Sequence, residues 1–527
     1  MATFVEALAY ARQLLGSGQA AAAEGVYRRL LEAAPEVADV WHEAGLVELQ
    51  LGRNEAAIEH LRQATTLDPR NGAFWANLGI AQRRLKRPAE AVTSFRRAIE
   101  LGLSTAEMHN NLAVALKDAG LTDAALEAFT RALAINANYA NGHFNRGNLL
   151  LDLGHVEEAI SSYRRAIALN PGDAAAHCML GASSYFVGRV DEALACYEQA
   201  LRIQPDYSEA RRNQALAWLV RGDHERGLAA FECRFECDDQ LRRRDTHPTW
   251  NGEPLGGRTL LVYAEQGLGD TLQFIRYLPA LEKLDGPVLA EMQAPLVPLL
   301  EASGLGRGLV APSSSSKFDL GCPLVSLPRL LQGQLGFPFR NGPYLHAEPA
   351  RVARWQARLQ GLAGFKVGIV WAGKREHPYD RFRSAGLAQF APLAAVSGVQ
   401  LISLQKGASR DEIDPLASQV PLVELGDDFD ATGGAFLDTA AVMKCLDLVI
   451  SVDTSAAHLA GGLGVPVWVP LIVAPDWRWL LTGSRTPWYP SMTLFRQPRF
   501  GQWGPVFAAM AAKVRELIAG TKKPGSA

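Results

Sequence analysis

The first half of the chain repeats itself every 34 residues, and no other feature limits the possible folds so sharply. Trp41, Trp75, His109, His143, His177 and Arg211 fall one period apart, each followed four residues later by Gly45, Gly79, Ala113, Gly147, Gly181 or Ala215. The same period carries Ala57, Ala91, Ala125, Ala159 and Ala193, then Phe95, Phe129, Tyr163, Tyr197 and Phe231, while Pro35, Pro69, Pro171 and Pro205 close units. Small residues let paired helices approach, an aromatic ring fills the groove between them, and proline stops the second helix. A unit this small cannot bury its apolar face alone, so copies must stack into a superhelix with a concave face.

This is the tetratricopeptide pattern. A degenerate unit (Ala11, Ala23, Tyr27, Pro35) precedes Val40, which gives about seven units and a repeat domain over residues 1–238. Two residues after the Trp/His position stand Glu43, Asn77, Asn111, Asn145, Met179 and Asn213. An asparagine amide both donates and accepts, so Asn77, Asn111, Asn145 and Asn213 suit an extended peptide backbone; the other role open to them is hydrogen bonding between neighbouring helices. Their spacing resembles the asparagine ladder in the repeats of O-GlcNAc transferases, which implies an acceptor polypeptide held in the superhelix. Repeats of this kind bind protein and do no chemistry.

At 527 residues the chain has room for about three domains. A net charge of −2 and a pI near 6.6 argue against a general nucleic-acid binder. No apolar run approaches the length of a membrane span, and the opening MATFVEALAYARQLLGSGQA keeps helical spacing without a basic leader. Cys178, Cys196, Cys233, Cys237, Cys322 and Cys445 are scattered and need no disulfide framework. Cys233 and Cys237, one turn apart, have no second pair with which to share a metal. These features place the protein in the cytoplasm.

After Cys237 the period ends, and residues 239–257 read as a linker. Thr259–Ala264 reads as a strand, followed by Gly267-Leu268-Gly269-Asp270, a tight turn with Asp270 at the N-cap of a helix to about Leu284. Alone, that turn is a weak signal and is not the dinucleotide fingerprint. Further pieces, broken by the serine-rich loop Pro312–Lys317, complete an α/β domain over 258–362. A second begins at Lys366–Trp371 and occupies 363–527. Its loop Ala372–Ser384 carries Lys374, Arg375, Arg381 and Arg383, and Gln405 and Lys406 end the strand Val399–Leu404. A short strand Leu422–Leu425 and a helix Phe436–Leu446 follow. Then come the apolar strand Leu448–Val452, Asp453, and a slim helix from Thr454 to Leu463. The N-terminus of such a helix, facing a strand's carboxyl end, offers unpaired N–H groups and a positive dipole to a phosphate. Strand–helix alternation predicts two parallel sheets facing a cleft, an α-solenoid followed by two Rossmann-like domains in the GT-B arrangement.

GLGD after the first strand, the basic loop after KVGIVWAG, and DTSAAHLAGGLGVPVW together resemble the ADP-heptose–lipopolysaccharide heptosyltransferase family over about residues 258–520. Joined to the repeats, the layout is similar to O-GlcNAc transferases and bacterial repeat-bearing flagellin glycosyltransferases. The resemblance implies Asp270 as general base within the Gly267/Gly269 loop, Lys374 on the diphosphate, and Asp453, Thr454, Ser455 and His458 on the nucleotide sugar. Family members often carry glycine after D-T where Ser455 stands, which leaves the donor sugar open.

Sugar transfer needs a base for the acceptor proton, positive groups for the departing diphosphate, and a dry cleft. Lys374, Arg381 and Lys406 suit the second role, with Arg375 or Arg383 as substitutes for Arg381. No metal or other cofactor is required, since a helix N-terminus and cations can neutralise the leaving group. Asp428-Phe429-Asp430 spells a metal motif of a different glycosyltransferase fold, here by coincidence. The expected activity is inverting transfer to a Ser or Thr hydroxyl of a bound protein, flagellin among the candidates. The alternatives are transfer to a lipopolysaccharide or other glycan, and a non-catalytic scaffold.

Overall fold

The computed structural model describes residues 3–237, 241, 247–310, 317–336, 342–376 and 380–521. Much of the expected linker, most of the serine-rich loop and three residues of the basic loop lie outside the described residues. The chain divides into two compact units, Met1–Ser183 and Ser184–Ala527, and the division falls inside the helix Ala174–Phe186.

The first unit is a run of antiparallel helix pairs: Phe4–Gly16 with Ala20–Ala33, Ala38–Gln50 with Asn54–Leu67, Gly72–Arg84 with Pro88–Glu100, Ala106–Asp118 with Thr122–Ile135, and Ala140–Asp152 with Val156–Leu169. The repeated small residues have the steric cause expected of them. A Cβ on Gly79 would stand 2.7 Å from Phe95 Cε1, and one on Gly147 2.7 Å from Tyr163 Cε1. The structure also explains why Trp and His share a position. Trp41 and Trp75 donate their indole N–H to the Pro35 and Pro69 carbonyls at 2.8 and 3.1 Å. His143 and His177 reach the Ala137 and Pro171 carbonyls with Nε2 at 3.0 and 3.1 Å. Either ring brings one N–H to the carbonyl that ends the preceding unit.

Each first helix of a pair ends on a left-handed residue, again at the repeat period: Gly18, Gly52, Lys86, Gly120 and Gly154. The N–H of the next residue reaches back over the turn, as from Arg53 to Glu48 and from Arg87 to Gln82, both at 2.9 Å. Lys86, at φ 56°, is the exception to glycine and carries the Cβ clash of that conformation. Lys86→Gly is therefore expected to stabilise the first unit by about 0.5–1 kcal/mol, read from the shift of its urea midpoint. An unchanged midpoint would mean that the turn relaxes without strain.

The second unit opens with the last repeat helices, Val190–Ile203, Ser208–Arg221, His224–Ala230 and Arg234–Cys237. Two all-parallel sheets follow. The first contains β1 (Leu260–Tyr263), β2 (Val288–Glu291), β3 (Leu309–Val310) and β4 (Leu320–Pro323) in the order β3-β2-β1-β4. The second contains β5 (Phe365–Val370), β6 (Val399–Ser403), β7 (Leu448–Ser451), β8 (Val467–Leu471) and β9 (Met492–Arg496) in the order β6-β5-β7-β8-β9. The strands β4, β7 and β8 are buried along their whole length, β7 and β8 as interior strands covered on both faces should be.

Local departures from the sequence reading have local causes. The helix expected to reach Leu284 breaks into Leu268–Phe274, a 3₁₀ turn Ile275–Tyr277 and Leu278–Leu281, because Pro279 cannot continue the hydrogen-bond ladder. Leu422–Leu425 forms only a bridge, through Val423 to Leu401 and Ser403 at 2.9 and 3.0 Å. Residues 247–257, read as linker, pack on the first sheet: Trp250 is buried, and its backbone N–H donates to Gly321 O at 2.8 Å.

Candidate functional site

In an open parallel sheet the ligand crevice lies at the carboxyl ends of two adjacent strands whose connections run to opposite sides. The strand orders place that point beside β1 in the first sheet and between β5 and β7 in the second. The loops that follow these strands carry GLGD, the basic loop and the Asp453–Ser455 turn.

The helices after β1 and β7, Leu268–Phe274 and Ser455–Gly462, meet at their first turns. A Cβ on Gly269 would come 3.2 Å from His458 Cδ2 and 3.4 Å from Ser455 Cα, so the two helices lie in close approach there. Asp270 stands at the third position of its helix, not at the N-cap. Gly267 is the cap, and its N–H donates to Asp270 Oδ2 at 3.0 Å. The other oxygen, Oδ1, accepts from Arg478 Nη2. Burial pushes the Asp270 carboxyl up from its ordinary value, against the pull of Arg478.

Arg478 was not singled out from sequence, yet it joins the two sheets. Its Nε donates to Gln273 Oε1 at 2.5 Å, its Nη1 to Asp476 Oδ1 at 2.9 Å, and its guanidinium lies over the Phe274 and Trp477 rings. The turn that carries it is held by the last repeats: Tyr185 donates its hydroxyl to Pro475 O at 3.0 Å, and the helix Ser208–Arg221 packs on Trp477–Trp479. The available signal was positional. Asp476-Trp477-Arg478-Trp479 follows β8 at the sheet's carboxyl edge, where polar residues between tryptophans are unusual for a plain loop.

Asp453 follows β7 beside the same cluster. Burial first, then the like charge of Asp476, push its carboxyl up to about 6, against the pull of the Trp479 N–H, Arg383 and Arg478. Thr454 occupies the N-cap of Ser455–Gly462 but makes no side-chain cap; its hydroxyl lies 3.0 Å from Ser451 Oγ. The first-turn N–H groups of that helix are therefore left without a side-chain cap. His458 is buried, with Nδ1 2.9 Å from Tyr489 Oη and its ring stacked on Trp479. Burial, with Arg478 and Arg276 nearby, holds its pKa well below the ordinary value, so it is a neutral group supporting the helix.

The cations separate. Lys374 is exposed and has no ion pair among the described residues. Arg381 is exposed over the Phe382 ring, whereas Arg383 pairs with Asp380 at 3.1 Å and faces Asp453 electrostatically. Lys406 is turned away to the Phe429 carbonyl and ring, and Arg375 forms a surface pair with Asp411. Asp428 pairs with Arg358, and Asp430 accepts from the Asp438 and Thr439 N–H groups, so both carboxylates of the DxD stretch have structural partners.

On the repeats, Asn77 Nδ2 lies 2.8 Å from His42 Nε2, and Asn145 Nδ2 donates to Asn110 Oδ1 at 3.0 Å. These amides connect neighbouring repeats through one arm. Asn111 is partly exposed and shows no such bond among the described residues, and Asn213 is partnered.

Comparison with known proteins gives the repeats their name. Residues 7–178 match the family described as cilia and flagella-associated protein 70 C-terminal domain, and residues 178–232 match the tetratricopeptide repeat family. The chain is 28% identical over 336 residues to Protein FlbA of Caulobacter vibrioides, a match covering 58% of this chain and 55% of FlbA. It thus spans about half the length of that relative. Among solved structures it is similar to YrrB, a TPR protein with an unusual peptide-binding site (23% identity, 35% of this chain and 95% of that one, TM-score 0.30). It is also similar to MamA (25% identity, 31% and 96%, TM-score 0.29). The chain is a tetratricopeptide-repeat protein with a following parallel-sheet α/β region. No helix among the described residues is long and apolar enough to cross a membrane.

Proposed function

We propose that this chain is a glycosyltransferase of the GT-B arrangement that moves a sugar from a nucleoside-diphosphate donor to a Ser or Thr hydroxyl of a protein held by its repeats. The observation that carries this reading is the meeting of the two helix N-termini at the sheets' carboxyl ends, which puts Asp270 beside the uncapped Ser455–Gly462 helix. In the reaction the acceptor oxygen bonds to the anomeric carbon as the bond from that carbon to the diphosphate breaks. The diphosphate leaves with the electron pair, and the hydroxyl proton passes to Asp270. Attack from the face opposite the leaving group inverts the anomeric centre. Lys374 and the helix N-terminus stabilise the developing charge. The resemblance of GLGD and DTSAAH to heptosyltransferase motifs supports the donor class, and the repeats support a protein acceptor. Cytoplasmic nucleotide sugars would supply the donor.

A thermal-shift panel of nucleotides and nucleotide sugars tests this reading. One nucleotide family is expected to raise the melting temperature of the wild type, and Lys374→Ala and Asp453→Ala are expected to lose the shift. A folded wild type that responds to no member would remove the transferase reading and leave a protein-binding scaffold.

A further inference from the structure

We propose that Arg478 is a second cation, beside Lys374, that receives the donor's diphosphate, and that it gives up Asp270 to do so, so that the base is released only when the donor is loaded. This rests on the transferase reading above and adds a control step to the same site. Both oxygens of Asp270 hold a donor here, Oδ1 the Arg478 guanidinium and Oδ2 the Gly267 N–H. An acceptor hydroxyl competing for Oδ1 would have to displace a permanently charged guanidinium. A neutral hydroxyl cannot do that, whereas an anion can draw the guanidinium away.

Three features make Arg478 the group that changes partner. Its bond to Asp476 is local, within a turn where Asp476 also accepts from the Arg478 N–H at 3.0 Å, but its bond to Asp270 crosses from one sheet to the other. The Arg478 Nε is held by Gln273 Oε1, while Gln273 Nε2, on a fully buried side chain, has no hydrogen-bond partner among the described residues. A buried amide donor of this kind calls for an acceptor oxygen close to Arg478. Finally, the uncapped N-terminus of Ser455–Gly462 abuts the Asp270 turn, which places a second set of N–H donors where the same oxygens would lie.

The charge balance agrees. Asp270, Asp453 and Asp476 all act on Arg478, and a diphosphate would add charge to that group. One carboxylate must yield, and Asp270 is the one contributed by the opposite sheet.

Calorimetric titration of the full chain with adenosine, uridine, guanosine and thymidine diphosphates, and with pyrophosphate, tests the exchange. For the ligand that binds the wild type, Asp270→Asn is expected to tighten binding about fivefold or more, because Arg478 no longer has a competing anion. The Asn side chain can still accept from the Gly267 N–H, which keeps the turn. Arg478→Gln is expected to weaken binding at least about tenfold, and the double variant should bind as weakly as Arg478→Gln alone. Should Arg478→Gln fail to fold, Asp270→Asn decides alone. Wild-type binding that Asp270→Asn leaves unchanged or weakens would overturn the exchange while the transferase reading stands. A wild type that binds none of the five would remove both.

Discussion

Replacing Arg234 with methionine is expected to lower the stability of the second unit by about 3–5 kcal/mol, the range for breaking a buried ion pair. Arg234 is 1% exposed and lies in the final repeat helix. Its Nη2 donates to Glu265 Oε1 at 3.0 Å and to Ser326 Oγ at 2.6 Å, residues that follow β1 and β4 of the first sheet. Its Nη1 donates to Glu232 at 2.8 Å, and its guanidinium lies over the Phe235 ring. Burial already pushes the Glu265 carboxyl up to about 7, with Arg234 opposing the shift. Without Arg234, Glu265 is buried with its own backbone N–H and the Val325 N–H, at 3.5 Å, but with no cation paired to it among the described residues. The pair Arg234→Met with Glu265→Gln should recover most of the loss, since no uncompensated charge remains. Denaturation followed by tryptophan fluorescence reads this directly, because all tryptophans except Trp41 and Trp75 lie in the second unit. A single variant as stable as wild type would mean that the last repeat does not depend on this anchor.

Asp453→Asn is expected to act in the opposite direction on stability while removing donor binding. Burial, with the like charge of Asp476, pushes the folded carboxyl up to about 6, above the ordinary aspartate range. For an acid raised on folding, the favourable contribution is complete below the unfolded value and is lost as pH rises through the folded one. Wild type and Asp453→Asn should therefore have similar stability near pH 4, and above pH 7 the variant should be more stable by about 1–3 kcal/mol. Melts at the two pH values test this. Equal stability at both would show that the carboxylate is well solvated and holds no strain for function. A stabilised variant that no longer responds to any nucleotide sugar is the signature of a carboxylate kept charged at the expense of the fold.

What could be read from the chain and what could not divide along sequence distance. The repeat register was legible because its cause is local: Gly79 and Phe95, or Gly147 and Tyr163, lie in one helix pair and clash if either grows. The β1 and β7 turns were legible because glycine and small residues after an apolar run have few other uses. Arg478 was not legible, since its partner Asp270 lies 208 residues earlier and only the folded sheets bring them together. The sequence favours Arg381 over Arg383, yet both sit in one short turn, Asp380–Arg383, and it is Arg383 whose charge acts on Asp453 in the folded chain. The asparagines suit a polypeptide ligand by residue type, whereas in the folded array the amides of Asn77 and Asn145 bridge adjacent repeats. Sequence gives the residue type at such a position, but the number of arms already in use is a property of the packed array.

The most direct test of sugar transfer is ³¹P NMR of the intact chain incubated with each nucleotide sugar and Ser/Thr-containing peptides. One donor is expected to disappear with release of its nucleoside diphosphate and a matching gain of sugar mass on a peptide. Asp270→Asn, still folded, should slow that release by about 10²–10⁴-fold. Turnover that Asp270→Asn leaves untouched, or a folded wild type that consumes no donor, would contradict the assignment of the site.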